Sequence, residues 1–127
     1  MEVLKIGLRH TSHMKVDTIH SALALQSGDL EVAGTPAMLA LMENAAMLAV
    51  APCLDKDYTT VGGHIESSHL RPTKIGGEIE ATAVLKKIEG KKLYFDVEAR
   101  EGDVLIGKGH HLRFIVHRQK FLSNVSK

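Results

Sequence analysis

A single carboxylate stands in a long apolar stretch of this 127-residue chain. The run PAMLALMENAAMLAVAP begins at Pro36 and ends at Pro52, and its polar side chains are Glu43 and Asn44. A carboxylate on an apolar helix loses hydration unless it gains partners, which is the situation of a general base or nucleophile beside a pocket. The alternative is a narrow solvent-facing stripe shared with Asn44. Thr35 lies eight residues earlier, where the helix should begin. As an N-cap its hydroxyl would serve the helix; beside free helix N–H groups it would also orient water or stabilise an oxyanion. That spacing separates Thr35 from Glu43 by about 12 Å along a helix axis, too far to touch but close enough to line one elongated cleft.

Eight histidines offer a third partner. His10, His13 and His20 fall in the less regular N-terminal part. His110, His111 and His117 belong to the last strand, facing solvent or a subunit contact. His64 and His69 flank Ile65-Glu66-Ser67-Ser68 after the helix, and His69 precedes the Arg71-Pro72 break, where strand ends often present functional groups. No histidine spacing matches a metal-ligand pattern, so no metal and no cofactor are expected. There is no G-x-S-x-G elbow, P-loop or dinucleotide fingerprint.

These side chains need elements to hold them. Pro36 suits a first helical position with Thr35 as its cap, and Pro52 discourages continuation. With so narrow a polar face, the helix is expected to be buried nearly all round. Before it, residues 3–16 read as strand-like and residues 18–25 as a short helix capped by Asp17, followed by a loop at residues 26–29. After it, residues 59–70 are β-prone, with Gly62-Gly63 marking a bulge or close approach. Residues 78–88 alternate, with Ile79, Ala81, Ala83 and Leu85 on one face. A turn at Glu89-Gly90-Lys91 leads to Leu93, Phe95, Val97 and Ala99 on one face, and Glu101-Gly102-Asp103 is a second turn. Residues 104–117 form the last strand, and Arg118-Gln119-Lys120 open a polar tail. One hydrophobic helix and a meander of antiparallel strands bury both apolar surfaces by curling the sheet around the helix. The predicted class is α+β, a hot-dog fold forming one domain over residues 1–127, whose open sheet edge favours a homodimer.

The totals narrow the function. A 44% hydrophobic, 24% charged composition is that of an ordinary globular domain. A net charge of +1 and an aromatic content of 4% argue against nucleic acid or an anionic membrane as partner. Cys53 is the sole cysteine, which excludes an intrachain disulfide and fits a reducing compartment. The N-terminus alternates without a cleavable apolar run, and the helix, at about 16 residues, falls short of the roughly 20 that span a bilayer. A cytoplasmic location is expected.

Three segments in the same order, GTPAMLALMENAA, TTVGGHIESSHLRPTKIGGEIEATAVL and KKLYFDVEAREGDVLIGKGHHLRFIV, together resemble the hot-dog thioesterases of the fluoroacetyl-CoA thioesterase family. The match runs from about Gly34 to Val116. The resemblance implies hydrolysis of an acyl-CoA thioester, with Thr35, Glu43 and His69 as the catalytic set. It further implies that Gly62, with Gly63, lies at the acyl thioester and that Arg113 contacts the coenzyme A phosphates. The family's carboxylate either activates water or attacks the carbonyl to form a transient anhydride, and both routes stay open. The segment preceding G-T-P, SALALQSGDLEV, lacks the aromatic residues of the fluorine-selective lid, so a different small or medium acyl group is expected. A non-hydrolytic acyl-CoA binding or sensing module is the alternative; a hot-dog hydratase would need a differently placed Asp/His pair.

Overall fold

Alternating apolar residues and glycine turns build the sheet. In the computed structural model, which describes residues 1–126, five strands run β1 (Arg9–Lys15), β2 (Tyr58–His69), β3 (Glu78–Glu89), β4 (Lys92–Glu101) and β5 (Val104–His117). They form one antiparallel sheet in the order β1-β3-β4-β5-β2. Gly90 and Gly102 take φ of 61° and 58° in the two hairpin turns, a backbone region that glycine adopts without steric cost. The inward residues of β3 (Ile79, Ala81, Ala83, Leu85) and of β4 (Leu93, Phe95, Val97, Ala99) are all buried. They pack with Met38, Leu41, Met42, Ala45, Ala46, Ala49 and Val50 of helix α2 (Thr35–Val50) in one core. Each large side chain so buried contributes roughly 1.5–3 kcal/mol, and the alanines let helix and sheet approach closely. The curled sheet on one long helix is the expected hot-dog arrangement.

Several expectations are corrected. The strands are not a simple meander: β2 precedes β3 in sequence but pairs with β5. Residues 70–77 carry the chain across instead of turning back, and on the way they brace the start of α2, where Ala33 N–H donates to the Thr73 carbonyl at 2.8 Å. β1 is shorter than residues 3–16, because a turn with Gly7 at φ 99° precedes it. The short helix expected over residues 18–25 is split. Asp17 caps a single 3-10 turn, Thr18–His20, and Ser21 then caps helix α1 (Ala22–Leu25).

The long helix is not buried all round. Pro36, Ala40, Asn44 and Leu48, one turn apart, form an exposed stripe, with Leu39, Glu43 and Met47 half-buried beside it. Pro52 does not stop the run either; it sits within a 3-10 turn, Ala51–Cys53, where its missing N–H is tolerated. Thr35–Cys53 is therefore 19 residues of mean hydropathy 1.4, long and apolar enough by length and composition to cross a bilayer, yet its apolar side packs on the sheet. The polar tail is helical: α3 (Arg118–Val125) is capped by His117 and anchored where Arg118 N–H and Nε donate to the carbonyls of Asp57 and Lys56.

Candidate active site

The start of α2 decides what the Thr35 hydroxyl can do. Gly34, not Thr35, is the N-cap, and no side chain caps the helix. Thr35 occupies the first helical position, one residue past the place where its oxygen would accept from the helix's own N–H groups. Its Oγ1 instead lies 2.7 Å from Nδ1 of His69, the last residue of β2. The other ring nitrogen of His69, Nε2, is buried and has no hydrogen-bond partner among the described residues. Burial lowers the His69 pKa from its usual 6.5, which keeps the ring neutral and able to accept a proton at neutral pH. A hydroxyl held against a neutral imidazole is the geometry of an activated nucleophile or an oriented water site.

Two turns further along, Glu43 meets a different set of groups. Its side chain keeps 42% of its surface exposed, so the desolvated carboxylate expected from sequence is not found in the single chain. The backbone of Gly62 runs directly beneath it: a Cβ at Gly62 would stand 2.8 Å from Glu43 Oε2. The absence of a side chain there lets the carboxylate lie on β2. Gly62 also begins the expected bulge, since the β2–β5 register shifts between Gly62 and His64. Gly63 belongs elsewhere, because a Cβ there would collide with the ring of Phe114; the packing of Phe114 accounts for that glycine.

Arg113 is placed against expectation. It is only 6% exposed, and its donors point inward: Nε to Thr60 Oγ1 at 2.8 Å, one terminal nitrogen to the Thr60 carbonyl at 2.9 Å. The other terminal nitrogen lies 3.8 Å from Glu43 Oε2, an ion pair too long for a direct hydrogen bond. A guanidinium so enclosed is unsuited to reach coenzyme A phosphates from this chain, and it acts on Glu43 instead. His111 was expected to face solvent or a subunit contact; it is 2% exposed and lies 3.2 Å from the same terminal nitrogen of Arg113. Sequence reasoning overlooked His111 and Thr60. The parity of β5 was available as a signal, since residues 111 and 113 must share a face.

The two groups share the seam between α2 and β2, with Thr35 and His69 at one end and Glu43 and Gly62 further along. Near the Thr35 end, a shallow apolar hollow of about 340 Å³ lies between Leu25, Pro36, Ala37, Ala40 and Leu41, with Met14 and His20 at its rim. A larger depression of about 920 Å³ sits on the outer face of the sheet, among Arg9, Glu66, Ser68, Leu70, Lys86 and Lys108; none of Thr35, Glu43, Gly62 and His69 lines it, although Ser68 and Leu70 adjoin His69 in the chain. Four of the remaining histidines have local roles: His20 completes the Asp17 cap, His117 caps α3, and His13 and His110 pair with Glu80 and Asp96 at the surface. Among the described residues, no group of three or more His, Cys, Asp or Glu side chains is gathered to hold a metal.

Known proteins share this fold. The family model described as fluoroacetyl-CoA-specific thioesterase, FlK, matches residues 16–119. The fluoroacetyl-CoA thioesterase of Streptantibioticus cattleyicolor is 37% identical over 95 residues, which cover 75% of this chain and 68% of that protein. A solved structure of the fluoroacetyl-CoA thioesterase FlK is 30% identical and superposes with a TM-score of 0.92 over 98% of this chain and 97% of its own. A variant of that enzyme in complex with acetyl-CoA, also 30% identical, gives a TM-score of 0.91 over 97% of both chains. With the family model spanning the helix, both candidate pairs and strands β2 to β5, this chain belongs to the fluoroacetyl-CoA-specific thioesterase family of thioester hydrolases.

Proposed function

We propose that this protein hydrolyses a small or medium acyl-CoA thioester to the free acid and coenzyme A, with Thr35, Glu43 and His69 as its catalytic residues. The observation that carries the reading is the 2.7 Å contact between Thr35 Oγ1 and His69 Nδ1, with the second ring nitrogen left unbonded. In this scheme neutral His69 takes a proton as oxygen attacks the thioester carbonyl, and Thr35 orients the attacking or accepting group. Glu43, steadied by Arg113 and seated on the Gly62 backbone, supplies the carboxylate that activates water or attacks directly. The Thr35 N–H, in the first turn of the uncapped helix α2, is suited to a developing oxyanion. The apolar hollow beside Pro36 supports a short acyl group, and Leu25 stands there without an aromatic neighbour. Selectivity for a fluorinated acyl group is therefore not part of the proposal.

The proposed unit is a homodimer acting in the cytoplasm, without nucleic acid or membrane. β2 pairs on one side with β5 and is an edge of the sheet on the other. Twelve residues of unpaired edge favour addition of a second copy. The lone cysteine supports a reducing compartment. The decisive experiment is thiol release from a panel of acyl-CoAs by wild type, Glu43→Ala and His69→Ala. Turnover by wild type and its loss in both variants is expected; equal release by all three would refute the assignment. Ligand-dependent stabilisation without turnover would instead mark a binding module. Light scattering at working concentration tests the dimer.

A further inference from the structure

We propose that His111 is a positioning residue for the Glu43 carboxylate, acting through Arg113; the proposal rests on the catalytic reading of Glu43. Its geometry allows one arrangement of hydrogens. His111 Nδ1 lies 2.7 Å from the carbonyl oxygen of His64, and a carbonyl only accepts, so Nδ1 carries the proton. In the neutral ring Nε2 is then a lone pair, and it accepts from the Arg113 terminal nitrogen at 3.2 Å. Burial lowers the ring's pKa and holds it neutral, as this acceptor role requires. The imidazole is also fixed in its plane, tilted 32° against Phe95 with ring centroids 6.3 Å apart.

The β2 bulge makes the contact possible. It removes residue 63 from the ladder, and the His64 carbonyl receives the imidazole across the strands. His111 and Thr60 thereby grip the guanidinium from several sides, and what remains of the hydrogen-bearing nitrogen shared with His111 faces Glu43. The convergence point is the missing side chain of residue 62. A Cβ there would stand 2.8 Å from Glu43 Oε2, 3.5 Å from His111 Cε1 and 3.7 Å from the Arg113 nitrogen. A long, flexible arginine needs such a grip to present one nitrogen to a half-exposed carboxylate in a constant position.

A mutant cycle on thioester hydrolysis tests this. His111→Phe keeps the ring volume but removes both hydrogen bonds; kcat should fall about tenfold with KM within about twofold, since a misplaced carboxylate affects the chemical step. His111→Gln retains a donor and an acceptor and should recover most of the loss. In a Glu43→Gln background, His111→Phe should cause no further fall in kcat, because its effect passes through Glu43. Equal losses in both backgrounds, or a raised KM with unchanged kcat, would overturn the proposal. If His111→Phe fails to fold, Thr60→Val loosens the same guanidinium and enters the same cycle with the same criteria. A Glu43→Gln enzyme as active as wild type would instead refute the catalytic reading itself, which keeps the two failures distinct.

Discussion

Replacing Gly62 by alanine separates the demands of catalysis from those of folding. The new Cβ would lie 2.8 Å from Glu43 Oε2, against 3.4 Å or more for ordinary van der Waals contact. The carboxylate must therefore retreat by about 0.6 Å, and as the end of a flexible, half-exposed side chain it can do so at little cost to the fold. We expect a stability change within about 1 kcal/mol. Catalysis is less forgiving: a displacement approaching 1 Å in a reacting group costs up to about 100-fold, so kcat should fall about 10- to 100-fold. Gly109→Ala is the structural contrast. There the Cβ meets the backbone carbonyl oxygen of Glu66, which cannot move without breaking the β2–β5 pairing, and a loss of about 2 kcal/mol or more is expected. The assay is thiol release under saturating acyl-CoA together with urea denaturation of both variants. If Gly62→Ala keeps wild-type kcat, or loses stability as Gly109→Ala does, the placement of Glu43 against this backbone has no catalytic meaning.

Thr35→Ala should lower kcat about 10- to 100-fold, whereas Thr35→Ser, which keeps the hydroxyl near His69 Nδ1, should stay within about fivefold of wild type; neither should shift the melting temperature much, because residue 35 is exposed. Stability should also respond to acid. Burial lowers the native pKa of His69 and His111 below the usual 6.5, so the unfolded chain binds protons more readily in that range. Stability is then full above about pH 6.5 and declines as the pH falls through the lowered native values, and thermal melts from pH 7.5 to 5 should show a slope that His111→Gln reduces. A melting temperature that rises on acidification across this window would contradict the assignment. In the core, Phe95→Ala should cost roughly 3–5 kcal/mol by denaturation, since the ring is 2% exposed and also backs His111.

Strands β3, β4 and β5 were legible in the sequence because alternation and glycine turns are local signals, and each inward residue of β3 and β4 followed the parity of its strand. The partner of β2 was not, because whether residues 70–77 turn back or cross the sheet depends on contacts far away in the chain. Glu43 stood out by its apolar neighbours, but its exposure was misjudged. The periodicity that buries Met42 and Ala46 also places residue 43 at the flank of the helix, and only the packed sheet shows which flank stays open. Arg113 was picked out for its charge and given the wrong direction. Strand parity could group it with His111, but the tertiary fold alone reveals that this polar face turns inward.

The missing side-chain cap at Gly34 has a consequence for efforts to improve this protein. Selection for melting temperature alone favours a hydroxyl or carboxylate at the N-cap, where it typically contributes about 1 kcal/mol. At residue 34 that gain meets an obstacle, because even a Cβ would stand 3.1 Å from the Ala22 backbone. A deletion of one residue upstream slides threonine into the cap, where its Cβ meets the same contact and the Ala22 backbone must give by a few tenths of an ångström, and it withdraws the hydroxyl from His69. Variant libraries ranked by heat resistance should thus enrich sturdy, inactive proteins at this junction, and screening there has to read turnover from the first round.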